Sequence, residues 1–277
     1  MKPLEIAKDI YSVGVKDWNV RNFHGYLTQK GSTYNAYLII DEKITLIDTV
    51  KAPFCEEFLE RISQVVDLSK IEYVVSNHVE MDHSGSMPEV MKRLPNATVL
   101  TNAAAEKEHK LHYDTTNWKI QTVKTGDSVS IGKRTLTFLT TPMVHWPDNM
   151  LTYCPEDKIL FSNDAFGQHL ASSENFDDEL SLDLILAEAK KYYANIVMPY
   201  SSQVVTALKA ASALDIKMIA PAHGLIWRTN LPAILECYTK WSNQEKEKKA
   251  VIVFDSMWHS TEKIAYAIRN AFEQKDY

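Results

Sequence analysis

The segment Ser76-Asn77-His78-Val79-Glu80-Met81-Asp82-His83 constrains the fold more than any other part of the chain. It sets two imidazoles and two carboxylates in close succession. It follows the apolar run Ile71–Val75, which reads as a buried strand, and precedes Ser84-Gly85-Ser86-Met87-Pro88-Glu89, which reads as a helix start. Side chains at the end of a strand, just ahead of a helix, project into the cleft at the carboxyl edge of a sheet. Nitrogen and hard oxygen donors mixed in one place suit zinc, iron or manganese rather than copper or calcium.

The rest of the 277-residue sequence has to build a scaffold for that cleft. With 45% hydrophobic and 24% charged residues it suffices for one large globular domain, or one domain and a fragment. The formal net charge of −6 and the lack of a basic stripe argue against nucleic acid as a partner. No apolar run reaches the length of a membrane span, and the first residues lack a signal-peptide core, so a cytoplasmic protein is expected. Cys55, Cys154 and Cys237 are far apart and form no CxxC pair, which reads as free thiols.

Strand and helix patterns alternate along the chain. Residues 10–15, 34–40 and 44–48 read as strands, 53–66 as a helix and 86–94 as a second helix. Residues 120–123, 129–131, 134–140, 150–154 and 158–161 read as a meander. A helix over 182–193, a strand over 196–198, a helix over 204–213 and a strand over 217–220 follow. Two β-then-α halves imply an α/β fold, an αββα sandwich with two sheets face to face and helices outside. The expected main domain covers residues 1–243. A solvated linker, 244–249, leads to residues 250–277, with a strand over 250–254 and a helix over 262–272. One strand and one helix bury no core of their own.

Three further donors fall at or just beyond strand ends: His145, Asp164 and His223. With His78, Glu80, Asp82 and His83 they make seven, too many for one tetrahedral ion. They suit two ions, each with two histidines and a terminal carboxylate, and Asp164 spanning both. One bridging hydroxide would balance the charge, and an oxo group is the other expected bridge. His109 and His112 lie in a polar stretch and read as solvated.

The cluster and its spacing resemble the metallo-β-lactamase superfamily, whose usual motif is H-x-H-x-D-H. Glu80 stands in place of the second histidine, as in the flavodiiron proteins (A-type flavoproteins), which carry a non-haem di-iron centre and reduce O2 or NO. The stretches 18–26, 33–37, 189–199 and 223–228 look like that family too. The resemblance implies that His78, Glu80 and His145 hold the iron nearer a flavin. It implies that Asp82, His83 and His223 hold the other, with Asp164 as the bridge. His24, His169 and Tyr193 match residues that contact the O2-derived ligand. An anionic oxygen in place of imidazole also favours higher oxidation states, and so iron over zinc.

Family members continue into an FMN-binding flavodoxin domain, and residues 251–263 resemble its first strand and phosphate loop. Ser256, Ser260 and Thr261 match that loop, but His259 stands where glycine is usual, so FMN is not expected on this chain. Two ferrous ions supply two electrons, enough to take O2 to the level of peroxide but not to water. The leading expectation is therefore an O2-binding di-iron sensor that signals to a partner such as a chemotaxis receptor, as a homodimer. The alternatives are an O2 or NO reductase served by a flavin domain or separate flavodoxin and, further off, a zinc hydrolase.

Overall fold

The computed structural model describes residues 2–276; Tyr277, the last residue of the expected tail, lies outside them. The chain divides into two compact units, one ending at Ser242 and one beginning at Asn243.

In the first unit the strands are β1 (Leu4–Ala7), β2 (Ile10–Ser12), β3 (Val15–Asp17), β4 (Asn22–Phe23), β5 (Tyr26–Leu27), β6 (Ser32–Tyr34), β7 (Tyr37–Ile39) and β8 (Ile44–Ile47). They continue with β9 (Ile71–Val75), β10 (Thr98–Thr101), β11 (Lys119–Thr122), β12 (Ser128–Ser130), β13 (Thr135–Thr140), β14 (Met150–Cys154), β15 (Ile159–Asn163) and β16 (Met218–Pro221). The helices are α1 (Cys55–Ser63), α2 (Met81–Ser84), α3 (Met87–Arg93), α4 (Ala103–His112), α5 (Leu182–Tyr192), α6 (Ser201–Ala211) and α7 (Leu231–Ser242). One seven-stranded sheet runs β1-β2-β7-β8-β9-β10-β11 and one five-stranded sheet runs β12-β13-β14-β15-β16.

The period-two alternation of the strands sorts their side chains into three cores. Tyr37, Ile39, Ile47, Val75 and Leu100 of the first sheet meet Leu136, Phe138, Met150, Ile159 and Phe161 of the second in a central layer. Their neighbours Leu38, Leu46, Val74 and Val99 turn the other way, against Phe58, Leu59 and Ile62 of α1 and Val90 of α3. Leu151, Tyr153, Leu160 and Ile219 likewise face Ile185 and Ala189 of α5, Val204 of α6 and Ile234 of α7. This is an αββα sandwich.

Several local expectations change. The expected strand over 10–15 is two strands, and Gly14 sits at the break. A Cβ there would lie 2.3 Å from the Tyr34 carbonyl oxygen, so the crossing chains require glycine. Residues 119–122 belong to the first sheet, parallel to β10, and not to the meander. The strand expected over 196–198 is instead helical: α5 runs on into a π turn, Tyr193–Val197, and a 3-10 turn, Met198–Tyr200. Ile196 and Val197 are buried there in the helix-side core, so their apolar run reports burial and not a strand. His109 is fully buried on α4 and meets Ser76 Oγ at 2.9 Å, against the solvated reading. The polar residues around it form the outer face of an amphipathic helix.

In the second unit α8 (Ser260–Glu273) forms. Residues 250–254 form no strand, and Val251 and Val253 are exposed. A lone extended segment has no ladder to join, so β-branched composition alone does not make a strand.

Candidate metal centre

The carboxyl edges of both sheets converge on one buried cluster. β9 ends at Val75, and the chain turns through Ser76–Glu80 into the single turn α2, which carries Asp82 and His83. The loop before β14 brings His145, the end of β15 brings Asp164, and the end of β16 brings His223. Asn163 precedes Asp164 in a left-handed conformation, φ 50°, which turns the carboxylate off the strand. Asparagine tolerates that region better than most residues.

All seven donors expected from the sequence come together, in two groups. His78, Glu80, His145 and Asp164 form one, and Asp82, His83 and His223 the other. Asp164 faces both groups with different atoms. Its Oδ2 lies 3.2 Å from His145 Nε2 and 3.6 Å from His78 Nε2, and its Oδ1 lies 3.2 Å from His83 Nε2 and 3.3 Å from His223 Nε2. Glu80 Oε2 lies 3.4 Å from His78 Nε2 and 3.3 Å from His145 Nε2. Asp82 Oδ2 lies 3.3 Å from His83 Nε2 and 3.0 Å from His223 Nε2.

These separations fit metal ions. Donors about 2.0–2.2 Å from an ion, at tetrahedral to octahedral angles, lie roughly 3.0–3.6 Å apart. The four Nε2 atoms, Glu80 Oε2, both Asp82 oxygens and Asp164 Oδ2 are buried with no hydrogen-bond partner. A buried polar atom left so costs about 1–3 kcal/mol, and a coordinated ion removes that cost. The opposite faces of two imidazoles are held by protein. His78 Nδ1 meets both oxygens of Asp148 at 2.9 and 3.0 Å, and His223 Nδ1 donates to the Thr33 carbonyl at 2.6 Å. Protons on Nδ1 leave the Nε2 lone pairs for metal.

The electrostatics of the metal-free cluster are those of a cation-binding pocket. Burial alone would lower the His223 pKa, but the facing carboxylates of Asp164 and Asp82 outweigh it and lift it to about 10. The same opposition lifts His145 to about 9, through Asp164 and Glu80. Burial would raise the carboxyls. Instead His145, His24 and His78 hold Glu80 far below its usual range, and His83, His145 and His223 do the same for Asp164. Protons stand here where divalent ions would be, because ligating imidazoles give up their Nε2 protons.

Around the cluster lie residues that the motif did not disclose. Asp148 is fully buried and also accepts from Val79 N at 2.7 Å. Its signal was its place three residues after His145, in Trp146-Pro147-Asp148-Asn149. Asp48 accepts from Asn77 N and Nδ2 and from Asn163 Nδ2, tying both strand ends together behind the ligand cluster. Burial raises its pKa. Asn35 Nδ2 donates to the carbonyls of Pro221 and Gly224, each at 2.9 Å, and so braces the His223 loop from the connection between β6 and β7.

Of the three expected pocket residues, His24 and His169 are beside the cluster. His24 Nε2 lies 3.4 Å from Glu80 Oε1, and His24 Nδ1 meets His169 Nε2 at 3.0 Å. Burial, with His223 and His24 alongside, holds His169 well below the usual imidazole range. Tyr193 is not there. Its hydroxyl meets Ser201 Oγ at 3.1 Å, and its ring packs on Tyr238 and Trp241. The neighbouring Tyr192 takes the position, donating to Asp164 Oδ1 at 2.8 Å. Adjacent residues of a helix point about 100° apart, and spacing alone did not tell the two tyrosines apart. In the second unit, Ser256 lies in the loop before α8, and Ser260 and Thr261 start that helix. His259 precedes them at φ 63°, with Nδ1 2.6 Å from Glu262 Oε2.

Comparison with known proteins adds an independent line. A family model described as ODP family beta lactamase matches residues 33–224. A Methanocaldococcus jannaschii protein described as uncharacterized is 50% identical over 98% of this chain and 69% of its own length. A Moorella thermoacetica nitric oxide reductase is 48% identical over 96% of this chain and 68% of its own. The rubredoxin oxygen:oxidoreductase structure from Desulfovibrio gigas superposes with a TM-score of 0.94 at 40% identity, over 99% of this chain and 70% of that one. The Giardia intestinalis flavodiiron protein gives 0.93 at 43%, over 96% and 66%.

Proposed function

Since the chain belongs to the ODP family of beta-lactamase-like proteins, among flavodiiron relatives, we propose that it holds two irons and uses them to bind and reduce O2 or NO. One observation carries this reading. Asp164 faces two donor groups with its two oxygens, and Glu80 supplies a carboxylate oxygen to one of them. When bound, the metal pair supplies two electrons and open positions for a diatomic ligand. The chain's part is to hold Nε2 lone pairs toward the metals through Asp148 and Thr33, to bridge with Asp164, and to line the pocket with His24, His169 and Tyr192.

The relatives' names point to the source of further electrons: the resemblance to rubredoxin-oxygen oxidoreductase and to flavorubredoxins suggests a rubredoxin or flavin donor. Taking O2 to water needs four electrons and four protons, so two must come from that donor. Residues 250–277 are proposed as part of a flavodoxin-like unit joined by residues 244–249. The working form is a homodimer, in a cytoplasm that keeps Cys55, Cys154 and Cys237 as thiols. No helix among the described residues is long and apolar enough to cross a membrane.

A second reading rests on His259. Where glycine would leave room for a phosphate, this chain carries an imidazole tied to Glu262. If FMN does not seat there, the metals capture O2 without finishing its reduction, and the capture itself can be signalled to a receptor. One experiment separates the two. The ferrous protein is supplied with NADH and a flavin-reducing donor under limiting O2. Catalytic O2 or NO consumption over many turnovers supports the reductase, and a single stoichiometric uptake supports the sensor. No uptake at all, with hydrolysis of thioesters by a zinc-loaded form, would overturn both.

A further inference from the structure

We infer that Ser32 and His169 are positioning residues that fix His24 as an N–H donor to Glu80, and thereby hold Glu80 to its metal through one oxygen. The inference rests on the two-metal reading and adds to it a role for residues outside the ligand set.

The geometry is a chain of contacts. Ser32 Oγ meets His169 Nδ1 at 2.8 Å. His169 Nε2 meets His24 Nδ1 at 3.0 Å. His24 Nε2 then faces Glu80 Oε1 at 3.4 Å and Asp82 Oδ2 at 4.0 Å. Ser32 and His169 are both fully buried, away from bulk solvent. A neutral imidazole has one N–H and one lone pair, so the direction of one hydrogen bond sets every other one in the chain.

Both ends favour the same direction. At the inner end, Glu80 and Asp82 are carboxylates and only accept. A lone pair on His24 Nε2 would face two anions, and an N–H there faces two acceptors. At the outer end, the alternative acceptor for the Ser32 hydroxyl is the Thr33 carbonyl, at 3.3 Å. That oxygen already takes the His223 Nδ1 proton at 2.6 Å. The shorter contact to His169 is therefore the better use of the Ser32 proton. The protons run from Ser32 to His169 and from His169 to His24, which leaves the His24 proton on Nε2, buried and without another hydrogen-bond partner, 3.4 Å from Glu80 Oε1.

The receiving atom gives the chain its purpose. Glu80 Oε1 faces His24, and Oε2 faces His78 and His145. A carboxylate pinned at one oxygen presents the other in a fixed direction. Phe23 stacks on His24 with ring centroids 4.0 Å apart and keeps the imidazole from swinging out. The carboxylate that distinguishes this cluster is thus oriented from a serine three residues of contact away.

The test has two readouts. The first is the tautomer of His24 in 15N-histidine-labelled protein, metal-free and zinc-loaded, from long-range 1H–15N correlations. The proton is expected on Nε2; a proton on Nδ1, with Nε2 free to ligate, would overturn the inference whatever the metals do. The second is a cobalt(II) titration. Loss of a partner that orients a ligand lowers metal affinity about 10–100-fold. S32A is expected to show that loss at one of the two binding steps and a mixed His24 tautomer. S32A/H169Q is expected to restore both, because a glutamine amide can donate to His24 Nδ1 without Ser32. Two unaltered binding steps in S32A, or no recovery in the double variant, would also overturn it. A wild-type chain that binds no pair of cobalt ions yet carries the Nε2 proton would instead count against the two-metal reading.

Discussion

Replacing Asp148 by asparagine removes one oxygen acceptor from behind the metal site and nothing from the ligand set. In the wild type, one Asp148 carboxylate serves both His78 Nδ1, at 2.9 Å, and Val79 N, at 2.7 Å, and is itself fully buried. An asparagine of the same shape has one oxygen and one NH2. If the amide oxygen takes the Oδ2 place, which serves both Val79 N and His78 Nδ1, the NH2 takes the Oδ1 place 3.0 Å from His78 Nδ1, opposes the proton there and favours the tautomer whose proton sits on Nε2, where the metal binds. If the amide is reversed, the Val79 N–H is left unsatisfied in the interior. Either arrangement forfeits about 1–3 kcal/mol, which corresponds to roughly 5–150-fold in affinity. Zinc titration calorimetry should show D148N weakening the step that fills the His78, Glu80 and His145 group, with the other step near wild type. Metal-free thermal unfolding of both proteins controls for damage to the fold. Two binding steps of wild-type affinity in a folded D148N would refute the idea that Asp148 sets the His78 tautomer.

The adjacent tyrosines should separate cleanly. Y192F loses the hydrogen bond to Asp164, worth about 1 kcal/mol, and should alter the visible spectrum of a cobalt-loaded site, whereas Y193F should leave that spectrum alone and only loosen contact with Ser201. His109 should make the protein acid-sensitive: burial holds its folded pKa at about 4, against about 6.5 in an unfolded chain. The neutral form is favoured on folding, so its contribution is complete above pH 6.5 and is lost as pH falls towards 4, a change of order 3 kcal/mol. Urea titrations of wild type and H109Q at several pH values check this through a smaller acid slope in the variant. At Gly224, φ is 78° and a Cβ would lie 2.0 Å from Gln168 Oε1. G224A should therefore lose more than about 1 kcal/mol from backbone strain alone and displace His223, as melting and zinc titration together would report.

The ligand cluster was legible because chemistry compressed it. His78, Glu80, Asp82 and His83 sit within one strand end and one helical turn, so residue types and spacing spoke for themselves. Asp164 and His223 were legible because they follow the continuously buried runs of β15 and β16, and His145 because it sits in the loop between β13 and β14. What supports the ligands was not. Asp148 and Ser32 act through contacts across 70 and 137 residues of sequence, to His78 and His169 respectively. Buried polar partners of that kind carry no periodic signal. Tyr192 and Tyr193 differ by one helical step, and only the packing of the second against Tyr238 and Trp241 decides which faces the metals. The run Ile196-Val197 has the composition of a strand and is helical, because its burial came from the α5 side of the second sheet. His109 shows the converse, a buried polar residue hidden in a polar stretch.

The proposed centre is a pair of irons bridged by Asp164. Mössbauer spectroscopy of the chain reconstituted anaerobically with 57Fe(II), with iron counted per polypeptide, tests it most directly. Two irons per chain are expected, magnetically coupled after oxidation, with the coupling lost in D164A. One iron per chain, or two that stay uncoupled and indifferent to Asp164, would contradict it.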